Sequence, residues 1–122
     1  MLHHVSLPVS DLQASRRMYD AALAPLGFRC VFADATAIGY GVEDGKDKLA
    51  LKLREPAVAA GDGFHLALTA PSHSAVDAFH AEALAHGAAD NGHPGIRAHY
   101  GPTYYAAFII DRDGHRLEAV CK

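Results

Sequence analysis

Tyr104-Tyr105-Ala106-Ala107-Phe108-Ile109-Ile110-Asp111-Arg112-Asp113-Gly114-His115-Arg116-Leu117-Glu118-Ala119-Val120 is the stretch whose reading decides the fold. A run rich in β-forming residues, then Asp113-Gly114, then a second apolar run, is the sequence form of a tight β-hairpin, because Asp and Gly tolerate the positive φ of such turns. Glu118 breaks the pattern. A carboxylate between Leu117 and Ala119 in a largely buried strand is costly unless a cation or several donors compensate it.

Upstream of the hairpin, residues 88 to 104 carry Gly, His and Pro and give no clear periodicity. Before them, Pro71 and Ser72 open a helix whose Val76, Phe79, Ala83 and Leu84 form one face, closed by His86-Gly87. His73, His80 and His86 belong to that helix and are expected on its solvated side. Phe64 to Ala70 precedes it as a strand, and residues 55 to 62 form a Pro/Ala/Gly loop.

The first half repeats this order. Leu2 to Val9 reads as a strand and Ser10 with Gln13 has capping-box spacing. Leu12, Ser15, Arg16, Tyr19, Leu23 and Leu26 then follow helical spacing to Gly27. Residues 28 to 33, 37 to 42 and 48 to 54 read as three strands, the last two joined through Asp44-Gly45. His4-Val5-Ser6-Leu7 falls on His65-Leu66-Ala67-Leu68, and Leu49-Ala50-Leu51 on Leu117-Glu118-Ala119. The predicted architecture is one α+β domain, residues 1–122, of two βαβββ modules, 1–56 and 63–122, with helices on the outer face of a cupped mixed sheet.

Alternation along the strands then selects side chains. His4 lies opposite the apolar odd positions of its strand, and His65 lies opposite Phe64, Leu66 and Leu68. Glu118 lies opposite Leu117 and Ala119. With helices on the apolar faces, all three point to the uncovered side. Two imidazoles and one carboxylate form a set that binds Fe, Mn, Ni or Zn as a divalent ion and leaves positions open. His3 points the other way, and His115 flanks the turn.

The net charge of −3 is modest, with no basic stripe, and argues against nucleic acid or an anionic membrane as partner. No apolar run approaches the roughly 20 residues needed to span a bilayer. Cys30 and Cys121 lack metal or redox spacing, so a cytoplasmic chain with free thiols is the expectation.

At Leu2-His3-His4-Val5-Ser6-Leu7, Gly63-Phe64-His65-Leu66-Ala67-Leu68 and Asp111-Arg112-Asp113-Gly114-His115-Arg116-Leu117-Glu118 the chain resembles the vicinal oxygen chelate superfamily. That superfamily groups glyoxalase I, fosfomycin-resistance proteins, extradiol dioxygenases and bleomycin-resistance proteins. The resemblance covers nearly the whole chain and implies two βαβββ modules curled around a metal, with His4, His65 and Glu118 at the ligand positions. Arg112 stands where the family's hairpin very often has Pro. Ala50 stands where glyoxalase I enzymes carry a fourth ligand, which argues against glutathione-dependent glyoxalase activity.

The function expected is a metal-dependent lyase, isomerase, thiol transferase or dioxygenase acting on a small substrate with two adjacent oxygens. The alternative is a metal-free protein that sequesters a ligand, as bleomycin-resistance proteins do. The stretch from His93 to Tyr105 is suited to closing over a ligand, and one of His99, Tyr100, Tyr104 or Tyr105 is expected to transfer protons. Lys52 and Arg97 are the candidate substrate-binding cations. A concave face left open by one chain, together with the resemblance, predicts a homodimer, with the site formed either within one chain or by His4 of one chain and His65 and Glu118 of the other.

Overall fold

The computed structural model describes residues 1–122. Module 1 runs β1 (Val5–Val9), α1 (Leu12–Leu23) with a 3₁₀ turn at Ala24–Leu26, β2 (Arg29–Ala33), β3 (Ala37–Gly41) and β4 (Leu49–Leu53). Module 2 runs β5 (Leu66–Thr69), α2 (His73–Ala85), β6 (Ala89–Ile96), β7 (Tyr105–Ile110) and β8 (Arg116–Cys121). Each module forms its own four-stranded mixed sheet, ordered β1-β4-β3-β2 and β5-β8-β7-β6. These are the two βαβββ modules of the sequence reading.

The register bears out the repeat residue by residue. Ser6 pairs with Ala50 in the parallel β1/β4 ladder, and Ala67 pairs with Glu118 in the parallel β5/β8 ladder. Ala50 and Glu118 are therefore counterparts in space as well as in sequence.

Local signals explain most boundaries. Ser72 caps α2 by accepting from the backbone N–H of Ala75 at 3.1 Å. The cap of α1 differs from the capping-box reading: Asp11, not Ser10, accepts from the N–H of Ala14 at 3.0 Å. Ser10 instead donates its hydroxyl to Asp113 Oδ1 at 2.6 Å. β1 begins at Val5 rather than Leu2, and β5 at Leu66 rather than Phe64, since neither ladder extends further. The unassigned stretch 88–104 becomes strand β6, broken by register shifts around Gly92, followed by a turn closed where Arg97 N–H donates to Tyr104 O at 2.8 Å.

One hydrophobic core serves both modules. Leu7, Val9, Ile38, Leu51 and the α1 residues Met18, Tyr19 and Leu23 join Val76, Phe79, Ile109 and Leu117 in a single buried cluster. Burial of this apolar surface is the main favourable term holding the halves together. Polar clasps orient them. Tyr19 donates to Asp111 Oδ2 at 2.6 Å, and His115 Nε2 lies 2.6 Å from Pro8 O. His115 is thus a buried tie between β1 and the β7–β8 turn.

His80 also departs from expectation. It is buried at 6% exposure, and its Nε2 lies 2.8 Å from Asp90 Oδ1, pinning α2 to β6. The buried face is shifted from the one the apolar spacing marks: Ala75 and His80 join Val76, Phe79 and Ala83, while Leu84 is exposed. No helix is long and apolar enough to cross a membrane.

Candidate functional site

The candidate residues lie on the sides of the sheets away from the shared core. In module 2 the cross-strand row through Glu118 runs Ala67, Glu118, Phe108, Gly92. Glu118 is 1% exposed although Ala67 and His65 beside it are exposed. Its two oxygens have separate partners: Tyr104 donates its phenol to Oε2 at 2.5 Å, and His65 Nε2 lies 3.1 Å from Oε1. Tyr104 reaches it because β7 alternates, so Tyr104 shares the parity of Ala106 and Phe108. Burial, and then the bond to Glu118, push the Tyr104 phenol up to about 12.

Phe108 walls the site, with its ring 6.4 Å from the His65 ring. Arg97 covers Phe108 at 5.3 Å and is fixed there by donating to His93 O and Gly95 O. Tyr100 packs on Tyr104 at 5.1 Å and His99 on Tyr100 at 4.1 Å, so these rings form a rim leading out to solvent. Tyr105 goes elsewhere. It stacks on His73 at 4.0 Å and donates to Asp77 Oδ1 on α2 at 2.6 Å, on the opposite face of β7.

In module 1 the corresponding row runs Ser6, Ala50, Gly39, Phe32. His4 is exposed beside the start of β1, its Nδ1 2.8 Å from that of His3. Lys52 is exposed on the same face as Ala50, paired in register with Pro8 and Ala37. Within one chain no group of three or more His, Cys, Asp or Glu side chains is arranged to hold a metal ion. The structure brings His65 and Glu118 together and leaves His4 on the other module. The donor chemistry of the assembled pair fits a divalent ion, since an imidazole nitrogen and a carboxylate oxygen about 3 Å apart span one edge of a coordination sphere.

The sequence reading missed Asp47. The segment between Gly41 and Leu49 curls over the sheet, so that a methyl group on Gly39 would lie 2.7 Å from Asp47 Cβ and 3.1 Å from its Cγ. A methyl on Gly41 would lie 2.5 Å from Lys46 O. The signal was present as two alternate glycines in Ile38-Gly39-Tyr40-Gly41, which mark a close approach of another segment to that face. Ala50 is buried at 6% exposure on the face Asp47 overlies.

A second feature lies at the junction of the modules. A largely apolar cavity of about 190 Å³ is lined by His4, Phe28, Tyr40, Leu66 and Leu68 among others.

Two βαβββ modules carrying a His–Glu pair on an open sheet face define a protein of the vicinal oxygen chelate class. The Glyoxalase/Bleomycin resistance protein/Dioxygenase superfamily model matches residues 1–119, and the chain belongs to that family. It is similar to a glyoxalase/bleomycin resistance protein from Albidiferax ferrireducens at 29% identity and TM-score 0.84, covering 98% of this chain and 97% of that one. The fold is shared with the fosfomycin resistance protein FosX from Mesorhizobium loti at 17% identity and TM-score 0.69, over 100% and 92% of the chains. It is shared too with a glyoxalase I mutant from Zea mays at 18% identity and TM-score 0.71, over 96% of this chain and 45% of that one. No curated protein matches the chain. The superfamily includes enzymes and commonly uses divalent metals.

Proposed function

We propose that this protein is a divalent-metal-dependent enzyme acting on a small substrate with two adjacent oxygens, and that it works as a homodimer. The supporting observation is Glu118: a carboxylate 1% exposed on an otherwise open face, with Nε2 of His65 3.1 Å from one oxygen. A buried carboxylate whose side-chain partners are the Tyr104 phenol and the His65 imidazole gains further from a cation shared with His65. His4 completes the ligand set from a second chain, whose module 1 covers the open face of module 2. The exposed Phe32, Val42 and Ile96 provide apolar surface for that pairing.

A bound divalent ion supplies Lewis-acid polarisation of substrate oxygens. The chain's own residues do the rest. His65 and Glu118 fix the ion, and Tyr104 holds Glu118 Oε2 so that Oε1 faces His65. Tyr104, with its phenol pushed up to about 12, stays protonated at neutral pH and is a proton donor, not a base. Phe108 with Arg97 over it excludes water from one side, and the Arg97 charge favours an anionic substrate. Lys52, on the module 1 face, serves as a second anchor for such a substrate.

The test is complementation. His4→Ala and Glu118→Ala proteins each lose metal alone, whereas their mixture regains up to a quarter of the parent's sites, because one site of each mixed dimer is intact. Metal content is read by elemental analysis of protein purified without chelator, and turnover by a panel of dicarbonyls with thiols, fosfomycin with thiols, and catechols with O₂. Equal metal in Glu118→Ala and parent protein defeats the proposal.

A further inference from the structure

The internal repeat gives module 1 an empty strand position where module 2 has its carboxylate. Ala50 is the counterpart of Glu118 by register, since Ser6 pairs with Ala50 as Ala67 pairs with Glu118. The next strand is exchanged as well: Gly39 pairs with Ala50 where Phe108 pairs with Glu118. Into the volume that a side chain on Gly39 would need, the segment after Lys46 inserts Asp47, whose Cγ would lie 3.1 Å and Oδ2 3.5 Å from a Cβ there. A carboxylate thus overlies the row of Ala50, carried by the hairpin and not by the strand.

We propose that Asp47 is an oxygen ligand contributed by module 1, together with His4, to the metal centre, the β3–β4 hairpin replacing the missing strand carboxylate. The inference rests on the metal reading above and adds a fourth protein donor to it.

Three features support it. The side of β3 and β4 that Asp47 overlies is the side of Ser6, two residues along the same strand direction from His4, so both donors belong to one face. Asp47 is half-buried yet makes no hydrogen bond and no ion pair within the chain, while Lys46 next to it is engaged with Glu43 at 2.8 Å. A partly desolvated carboxylate without a partner is one that gains from a cation. The approach is also built in at some cost: Gly39 and Gly41 both lie in a strand, where glycine weakens the ladder, and both sit where any Cβ would collide with the hairpin.

The experiment moves the carboxylate. Zn(II) affinity is measured by chelator competition, and the visible spectrum of the Co(II) form reports the donor set. Asp47→Asn should weaken Zn(II) binding by ~10-fold or more and change the Co(II) spectrum, because a charged oxygen donor is lost. Asp47→Ala combined with Ala50→Glu should restore affinity, since removing Asp47 frees the volume over residue 50. The metal-free unfolding temperature of Asp47→Asn should equal the parent's, as no intrachain bond is lost.

Unchanged affinity in Asp47→Asn, with metal lost in His4→Ala and Glu118→Ala, overturns the role of Asp47 and leaves the three-ligand centre standing. A lowered metal-free unfolding temperature without rescue by Ala50→Glu makes Asp47 a structural residue and overturns it too. Parent protein that binds no Zn(II) or Co(II) overturns the metal reading and this inference together.

Discussion

Tyr104 donates its phenol to Glu118 Oε2 while His65 faces Oε1, so the two oxygens of one buried carboxylate are distinguished by their neighbours. Removing the phenol should free Glu118 to rotate. Tyr104→Phe is expected to cost ~10- to 100-fold in metal affinity, the usual range when a ligand loses the group that orients it. In an ultraviolet titration of the five tyrosines, Tyr104 should remain un-ionised until about pH 12. Glu118→Gln should bring its ionisation to lower pH, though not fully to 10, because burial is the larger cause and persists. A Tyr104→Phe protein that loses no high-pH titration step would contradict the assignment.

The clasp between modules should be measurable as stability. Tyr19 is 1% exposed and its hydroxyl is bonded to Asp111 Oδ2, whose other oxygen accepts from the N–H groups of Asp113 and His115. Tyr19→Phe leaves one buried carboxylate oxygen without its donor and is expected to cost about 1–3 kcal/mol in urea unfolding. Asp111→Ala should cost more, since it also undoes the turn.

Close approach at Gly39 gives a steric prediction. Gly39→Ala forces the hairpin from the sheet and should destabilise by about 1–3 kcal/mol, the usual range for overpacking. Gly63→Ala is the control, because a methyl there meets nothing within 4 Å. Equal stability of the two variants would show that the hairpin does not lie where it is described.

Asp90 supplies a pH test. The bond from His80, and then that from the Gly92 N–H, hold the Asp90 carboxyl below its ordinary value. A depressed folded-state value means stabilisation that is complete above the unfolded value of about 3.9 and disappears as pH falls through the folded value. Asp90→Asn should therefore lower the unfolding temperature at pH 6, by an amount that shrinks as the pH falls below about 3.9. A difference that persists unchanged at pH 2 would assign the clasp to shape and not to charge.

The fold was legible because two kinds of periodicity agreed. Alternation in the β8 stretch and its match to Leu49-Ala50-Leu51 gave the register, which the ladders reproduce at Ala67–Glu118 and Ser6–Ala50. What escaped was set by contacts between distant residues. Ser10 had the spacing of a cap, but Asp113 competes for its hydroxyl and Asp11 caps α1 instead. His80 looked like a surface residue because its partner Asp90 lies in a segment with no readable pattern. Strand parity placed His65 and Glu118 on one face but did not choose among His99, Tyr100, Tyr104 and Tyr105; in the structure the alternation of β7 turns Tyr104 to Glu118 and Tyr105 to α2. Asp47 escaped because a residue between strands has no parity to read; only the glycines it covers recorded it.

The pairing of β5 with β8 has a consequence for how the chain is made. Synthesis proceeds from the N-terminus, and by Leu53 every strand of module 1 has its ladder partner. β5 emerges early in module 2 but pairs with β8 alone, whose residues are 116–121. Until then it has an unpaired backbone on both edges, and Tyr19 and Pro8 lack the turn they clasp. Pairings so distant in sequence form late and slowly. A ribosome that stalls between Gly87 and Gly114 would therefore hold out a finished half with an unsheltered strand attached, the kind of intermediate that chaperones retain.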